Sequence, residues 1–477
     1  MSVQLVILIV YVGGLLAVAW WSTKIQKKAT GNKMVAYLLA GRNMPSLLVT
    51  VMLVGLAIGG ASTVGVAERA YTKGFSAGWY NAAWGAGGIM VGLFAASWFR
   101  RMTVKTIPEM MGTMFGPKTR FLSVINQLLV MISITSMQYV AGGSILTALL
   151  PHVFPTLQSG MVISALVFIA ITVVGGYWAS GLTNVINVIV IYIGIIIALV
   201  QTLGTFGGMH TIILQLPPGD FWMDPIAGLG VLVIVAQVIV MVTMTFSTQA
   251  VAQICFAARD GKTARRGFLI GGILILPAGF LCALFGVVAA ARFPDLPRAA
   301  LALPTLVTQL SPFVGGVFLA SLWAADVSTA VGLLMGCSTL VLEDIVKKVY
   351  TKPIPASREL LVSRLTVLMV SLLAFVLSLT AVSIIQTITT ALAITTSFTL
   401  FILVSIYCPR ICKRVSGFPV ILTSLILWII WTYFPQFRIG PELIYVEWIV
   451  CGAIFIICTI FGKKPAGRLI PQANSKA

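Results

Sequence analysis

Apolar and polar positions alternate along this chain in long blocks. Apolar runs of about twenty residues, the length that an α-helix needs to cross a bilayer, follow one another between short polar loops. The pattern predicts an all-α polytopic membrane protein, and no loop is long enough to bury a separate soluble core. The thirteen predicted membrane spans are 3–22, 45–68, 77–98, 121–150, 159–176, 184–206, 228–256, 267–291, 305–342, 365–385, 387–408, 418–434 and 445–462.

The second predicted span is interrupted by glycines. Residues 55–63 read GLAIGGAST in the middle of an apolar run. Each glycine destabilises a helix by about 1 kcal/mol relative to alanine. Backbone groups freed at membrane depth are tolerated only where they are buried in protein or line a cavity. Two interpretations stay open for this segment alone: close helix packing through small residues, or a backbone opened to hold an ion or a solute.

Polar side chains inside the spans mark a second interruption. They are costly in hydrocarbon and tend to mark a site or a path. The seventh predicted span has a run of Thr, Ser and Gln at 243–253, and the ninth has Asp326, Ser328 and Thr329. Because the two interrupted spans are five apart, the pattern favours a five-plus-five inverted repeat with a site near its midplane. The predicted organisation is one transmembrane domain over 1–477, with an extra N-terminal helix and loop at 1–44, repeats at 45–206 and 228–408, and C-terminal helices at 418–462.

Composition and charge support the membrane assignment. Hydrophobic residues make up 59% of the chain and charged residues only 9%, against about 25% in soluble domains. The net charge of +19 comes from Lys and Arg in alternate loops, including 23–44, 99–120, 257–267 and 343–364. This positive-inside pattern predicts an N-terminus outside, a C-terminus in the cytoplasm and a plasma (bacterial inner) membrane location. The basic residues then face lipid and cytoplasm, and nucleic acid is not an expected partner.

Enzyme chemistry has no support in the sequence. The chain has no P-loop, HExxH or GxSxG motif, its seven cysteines lack metal-ligand spacing, and its two histidines, His152 and His210, fall in predicted outer loops. We therefore expect no catalytic residues and no enzyme activity, and we interpret the protein as one that moves something across a membrane.

The chain resembles the sodium/solute symporter family, whose members share the five-plus-five fold of the bacterial leucine transporter. The run GLAIG at 55–59 resembles the unwound first core helix, and AADVST at 324–329 resembles the eighth. The segment AARDGKTA at 257–264 resembles the basic loop after the sixth core helix, and residues 59–74 are also similar to the choline-transporting branch. The order and spacing of these patterns extend the resemblance over nearly the whole chain.

The resemblance implies a sodium site. Its ligands would be the backbone carbonyls of Gly55, Ile58 and Ala325 and the hydroxyls of Ser328 and Thr329. The last three occupy positions i, i+3 and i+4, which share one helix face. A sodium ion bound between these groups would stabilise the outward-open state. The sodium gradient would thereby be coupled to movement of the solute. The alternative is that the two hydroxyls only pack helices.

The resemblance also implies a solute site beside the interrupted helices. Its candidates are Ser62, Thr63, Asn81, Trp84, Ser247, Thr248 and Gln249, with Tyr80 and Tyr139 as aromatic walls or gates. Few aromatic residues surround these positions, so we expect a small polar or zwitterionic organic solute and not a quaternary-ammonium cage.

Two departures from the family pattern bear on coupling. A second sodium site found in some members corresponds here to Asn184, Val331 and Gly332, and we predict that it is absent. Asp326 is the only carboxylate that the pattern places deep in a span. It is a candidate proton-coupling group, additional sodium ligand or solute counter-ion, or else a hydrogen-bonded structural acid.

The sequence therefore predicts a secondary active transporter that carries a small polar organic solute into the cell with sodium. The alternatives are a proton-coupled symporter that uses Asp326, and a membrane sensor that binds a solute without moving it. The solute, the stoichiometry, the oligomeric state, and whether Glu68 and Arg69 pair or gate the outer mouth stay open at this stage.

Overall fold

The computed structural model describes residues 3–28, 38–102, 104–350, 354–380, 383–467 and 469, and every regular element in these residues is helical. The α-helices are α1 (Val3–Lys28), α2 (Ser46–Ala57), α3 (Val66–Lys73), α4 (Trp79–Phe94), α5 (Ala96–Arg101), α6 (Ile107–Phe115), α7 (Pro117–Leu149), α8 (Leu157–Thr205), α9 (Gly208–Leu214), α10 (Val231–Ser247), α11 (Gln249–Ala257), α12 (Gly261–Arg292), α13 (Ala302–Thr308), α14 (Pro312–Leu340), α15 (Lys347–Val349), α16 (Ala356–Ser378), α17 (Ile384–Ala393), α18 (Thr396–Tyr407), α19 (Gly417–Tyr433) and α20 (Leu443–Phe461).

The helical membrane fold is confirmed, but the number of thirteen spans is not. Among the described residues, eight single helices are long and apolar enough to cross a membrane, and three bent pairs raise the number to eleven. The predicted spans 45–68 and 77–98 fall together in one bent pair. The predicted span 159–176 lies in the 49-residue α8, whose first apolar part, Leu157–Val173, is shorter than a full crossing.

Three helix pairs are bent at a short break. The pairs are Ser46–Ala57 with Ala61–Phe94 at 55°, Val231–Ser247 with Gln249–Ala257 at 48°, and Ile384–Ala393 with Thr396–Tyr407 at 46°. The first two breaks fall where the sequence is interrupted by glycines and polar residues. The third, around Ile394, was not predicted, because neither glycine nor proline marks it.

The long helices α7, α8, α12 and α14 form the centre of the molecule. Helix α14 packs between α7 and α8, while α12 packs against α2, α3 and α4. Small residues permit the close contact of α12 with α4, since a Cβ atom on Gly85 would lie 2.6 Å from the Gly272 carbonyl oxygen. The C-terminal helices α19 and α20 pack on each other and on α18 at the edge of this bundle.

The loops rich in Lys and Arg meet at one end of the molecule, which we call the basic face. The Met44 N–H donates to the Ala257 carbonyl at 3.0 Å, and the Arg259 N–H donates to the Met44 carbonyl at 2.9 Å. These two bonds join the start of α2 to the end of α11. Asp260 then caps α12 by accepting from the Thr263 N–H at 2.8 Å, and this bond lowers the pKa of Asp260. Residues 29–37 and 351–353 of the same loops lie outside the described residues.

Candidate functional site

The break between α2 and α3 contains glycines that neighbouring helices approach too closely for any side chain to fit. Helix α2 ends at Ala57, and a short π-helical turn, Ala61–Gly65, follows. A Cβ atom on Gly59 would lie 2.4 Å from the Thr329 hydroxyl oxygen. One on Gly60 would lie 2.2 Å from the Ala141 Cβ. Both glycines therefore let α7 and α14 approach the opened backbone.

One amide side chain forms hydrogen bonds with the backbone groups that the second break leaves free. Between α10 and α11, Thr248 adopts an extended backbone conformation. Gln127 of α7 donates from Nε2 to the Ser247 carbonyl and accepts at Oε1 from the Gln249 N–H, both at 2.9 Å. Unpaired backbone groups in hydrocarbon cost several kcal/mol each. Gln127, which the sequence analysis did not select, therefore stabilises the interruption.

Replacing Gln127 with leucine should destabilise the protein by about 2–4 kcal/mol, because it leaves a buried carbonyl and a buried N–H without partners. The measurement is the thermal unfolding midpoint of the purified protein in detergent. Gln237→Leu is the matched control: that amide is buried in α10, and neither of its polar atoms has a hydrogen-bond partner among the described residues. Equal losses in the two variants would contradict the role given to Gln127.

Four of the five predicted sodium ligands lie together. The Ser328 hydroxyl contacts the Gly55 carbonyl oxygen at 3.1 Å and the Ala325 carbonyl oxygen at 2.7 Å. The Thr329 hydroxyl contacts the Gly55 carbonyl oxygen at 2.9 Å. All four groups are buried, uncharged and oxygen-bearing, which suits a hard cation. Ile58 ends α2, and the role of its carbonyl stays a prediction.

Asn184 of α8 lies directly beside this joint. A Cβ atom on Gly55 would meet the Asn184 amide at 2.7 Å. Its Nδ2 donates to the Met52 sulfur at 3.6 Å, while Oδ1 has no partner among the described residues. Gly332 lines the same small space, and Val331 is buried. The absence of a second sodium site at these positions stays a prediction.

A small cavity of about 40 Å³ lies between the first two breaks. Of the predicted solute residues, Trp84 and Thr248 line it, and so does Tyr80. Tyr139 does not line it and instead shares a hydrogen bond with Ser371 at 2.6 Å.

The other solute candidates surround the cavity without lining it in this conformation. The Ser62 and Thr63 hydroxyls donate to carbonyls at the first break, those of Ala57 and Gly59, and the Ser247 hydroxyl donates to the Thr243 carbonyl of its own helix. The Asn81 Nδ2 donates to the Ser62 carbonyl at 3.4 Å, and its Oδ1 has no partner among the described residues. Gln249 turns toward the basic face and accepts from the Ile107 N–H at 2.8 Å.

Gln138 is a cavity residue that the sequence analysis missed. It lines the cavity, and its Oε1 accepts from the Gly60 N–H at 2.9 Å. Gln127 and Gln138 are eleven residues apart, so about three turns of α7 place both amides on one face. That spacing of amides inside an apolar span was the signal that could have identified them.

Asp326 lies behind the first break and does not line the cavity. Its Oδ1 accepts from the Gly60 N–H at 2.7 Å, whereas its fully buried Oδ2 has no partner among the described residues. The carboxyl group therefore contacts the opened backbone directly. It is not the only carboxylate buried in a span, because Glu447 of α20 is also fully buried.

Ion pairs lie at the basic face, next to the C-terminal end of α14. Arg120 pairs with Asp344 at 2.6 Å, and Lys105 pairs with Glu343 at 3.0 Å. At the other end of the bundle, the Glu68 carboxylate accepts from the Ile384 N–H at 3.4 Å. Glu68 thus contacts the start of α17, and no salt bridge of the described residues joins it to Arg69.

Comparison with known proteins decides the family. A sequence profile described as "Sodium:solute symporter family" matches residues 37–416, which is most of the chain. This protein belongs to that family. The symporter is therefore a transporter and not an enzyme, it is an integral multi-pass membrane protein, and Na⁺ is its coupling ion.

Curated relatives agree with this membership, and a solved structure shares the fold. The symporter is 25% identical to the sodium/pantothenate symporter of Escherichia coli (strain K12) over 342 residues, covering 67% of this chain and 68% of the relative. It is 25% identical to the sodium/glucose cotransporter of Vibrio parahaemolyticus over 386 residues, covering 74% and 70%. Its fold matches a Na⁺-coupled sialic acid symporter in a substrate-bound outward-open state, with a TM-score of 0.78 at 17% identity over 98% and 99% of the two chains.

Proposed function

We propose that this symporter uses the sodium gradient to carry a small polar organic solute into the cell by alternating access. The observation that carries the proposal is the joint between Gly55, Ser328 and Thr329. It connects the opened backbone of the first break to α14, so an ion bound there stabilises one arrangement of the two elements.

The proposed sodium ligands are the carbonyls of Gly55, Ile58 and Ala325 and the hydroxyls of Ser328 and Thr329. Contacts among four of these groups support the set. The proposal includes one sodium ion per cycle, because Asn184 offers no charge for a second ion.

The proposed solute site is the cavity between the two breaks. Tyr80 and Trp84 provide aromatic walls, and Gln138 and Thr248 provide polar groups. The Asn81 amide oxygen has no partner among the described residues, whereas the hydroxyls of Ser62, Thr63 and Ser247 and the Gln249 side chain must turn to reach a solute. By their names, the relatives carry pantothenate and glucose, which are small polar organic molecules; we propose the same broad class here.

The proposed orientation places the basic face in the cytoplasm, with the N-terminus outside, in a bacterial inner membrane. The excess of Lys and Arg at that face supports it. The ion pairs of Arg120 with Asp344 and Lys105 with Glu343 would then close the inner side in this conformation. Residues 45–206 and 228–408 are the two proposed repeats, and each begins with an interrupted helix.

Asp326 supports a second candidate, proton-coupled symport. Its Oδ2 is buried and has no partner within the described part of the chain, which is the expected state of a carboxyl that can take up a proton. Its contact with the Gly60 N–H would pass such a change to the first break.

Uptake into proteoliposomes across a panel of labelled solutes, with sodium and proton gradients imposed separately, tests the two candidates. We expect one small polar solute to accumulate with an inward sodium gradient and without a proton gradient. Asp326→Asn should keep that sodium dependence. Uptake driven by a proton gradient alone, and abolished by Asp326→Asn, would instead make Asp326 the coupling group.

A further inference from the structure

Glu447 is a carboxyl group that the sodium and solute sites do not use. It lies in α20, a helix with a mean hydropathy of 2.3, and its side chain is 0% exposed. Its Oε2 accepts only from the Cys451 thiol at 3.5 Å, and its Oε1 has no hydrogen-bond partner among the described residues. No salt bridge of the described residues includes it. An ionised carboxylate in such a place is costly, because nothing compensates its charge.

A hydroxyl group connects Glu447 to the third helix break. Ser424 of α19 lies beside Glu447, and one turn further along this helix pair the Cys451 thiol contacts the Val420 carbonyl at 3.7 Å. The Ser424 Oγ also donates to the Ile394 carbonyl at 2.9 Å. Ile394 lies at the break between α17 and α18, and Ser397 donates to the same carbonyl at 3.2 Å. Glu447, Ser424 and Ile394 thus form one polar network that extends from the C-terminal helices to the bend.

The Ser424 bond to Ile394 favours a protonated Glu447. A hydroxyl has one hydrogen, and a backbone carbonyl only accepts. Because Ser424 gives its hydrogen to Ile394, it presents only lone pairs to Glu447. An ionised carboxylate only accepts hydrogen bonds, so it would gain none from the Ser424 lone pairs. A protonated carboxyl can donate to Ser424 instead.

We propose that Glu447 is a proton-binding site, whose bound proton holds Ser424 on the Ile394 carbonyl at the third break. Loss of the proton would draw the Ser424 hydrogen to the carboxylate and release the bend. The site lies outside the sodium joint and the cavity, and it adds proton sensitivity to sodium-driven transport. Bending of α17 against α18 is the motion it would control.

Among the described residues, the Cys451 thiol is the one other titratable group in contact with Glu447. Helices α10, α17, α18 and α19 and the turn Arg414–Ser416 pack against α20. Among their described residues only Ser424 interacts with Glu447, and on its own helix only Cys451 does. Glu442, at the start of α20, interacts instead with Arg69. Changes of pH should therefore act on this polar network through Glu447 itself.

Infrared spectroscopy of the purified symporter tests the proposal without a solute. We expect the difference spectrum between the wild type and Glu447→Gln to contain the C=O stretching band of a protonated carboxylic acid. Ser424→Ala should keep this band but move it to higher frequency, because the acid loses its acceptor. A carboxylate band in place of the acid band would overturn the proposal.

Sodium-driven uptake at different pH provides the second measurement. Over a series of increasing pH, we expect wild-type uptake to fall about five-fold once Glu447 loses its proton, which is the effect of one hydrogen bond lost at the bend. Glu447→Gln, whose amide can donate to Ser424 at every pH, should stay at the acidic rate. Ser424→Ala should be slow and independent of pH. A pH profile of Glu447→Gln identical to the wild type would contradict the proposal, while loss of sodium dependence in wild-type uptake would contradict the proposed function instead.

Discussion

The double variant Ser328→Ala, Thr329→Ala should raise the sodium concentration needed for half-maximal uptake by about 100-fold, so that uptake at ordinary sodium is nearly abolished. The two hydroxyls contact the Gly55 carbonyl and are buried. Their loss removes two of five proposed oxygen ligands and leaves that carbonyl without these partners, at a cost of about 3 kcal/mol. Uptake into proteoliposomes over a range of sodium concentrations measures the change.

Ser321→Ala is the matched control for this experiment. Ser321 is a fully buried hydroxyl on the same helix, α14, but it donates only to the Phe318 carbonyl of its own helix. We expect its sodium dependence to equal that of the wild type. If the double variant and the control behave alike, the cation does not bind at the joint between α2 and α14.

Gly60→Ala should reduce maximal uptake to less than about a tenth and destabilise the fold by about 1–3 kcal/mol. The added Cβ would lie 2.2 Å from the Ala141 Cβ and 2.4 Å from the Asp326 Oδ1. Relief requires α7 or α14 to move away from the first break, and that movement would also disturb the Gly60 N–H contacts with Gln138 and Asp326. Maximal uptake and the thermal unfolding midpoint are the two measurements.

Gly332→Ala is the control for the second variant. It adds the same methyl group on α14, near the sodium joint, but its nearest neighbour would be the Leu56 Cδ1 at an ordinary 3.5 Å. We expect normal uptake and an unchanged midpoint. A similar loss of uptake in both variants would show that any methyl group added near the sodium joint is harmful. The close contacts of Gly60 would then not explain the effect of Gly60→Ala.

The sequence predicts the membrane helices and the first two breaks well, because apolar length and glycine content act locally. It could not predict the third break, since Ile394 follows an ordinary run of Thr, Ala and Leu, and the Ile394 carbonyl accepts a hydrogen bond from Ser424 of another helix. The side-chain directions at the solute site were equally hidden. Serine and threonine in a membrane helix can bond to their own backbone, as Thr63 and Ser247 do here, and sequence alone does not reveal which hydroxyls stay free.

Polar residues outside the family motifs were underestimated. Gln127 and Gln138 share a face of α7 and act on two different breaks, which only the packing of α7 against both makes visible. Glu447 stood in a predicted span near its end, where a carboxylate is normally taken to reach water. The fold encloses it instead, because Glu447 shares one buried face of α20 with Cys451 and Phe455.

The backbone bonds at the basic face have a consequence for the efficiency of the symporter. Met44 precedes the half-helix that carries the proposed ion ligand Gly55, and Ala257 ends the half-helix that borders the proposed solute cavity. Because two backbone hydrogen bonds join the ends of these half-helices, movement of one away from the other would have to break both bonds. Sodium and solute should therefore be released in the same movement. Such fastening limits futile leakage of the gradient, so nearly every ion that crosses should bring a solute with it.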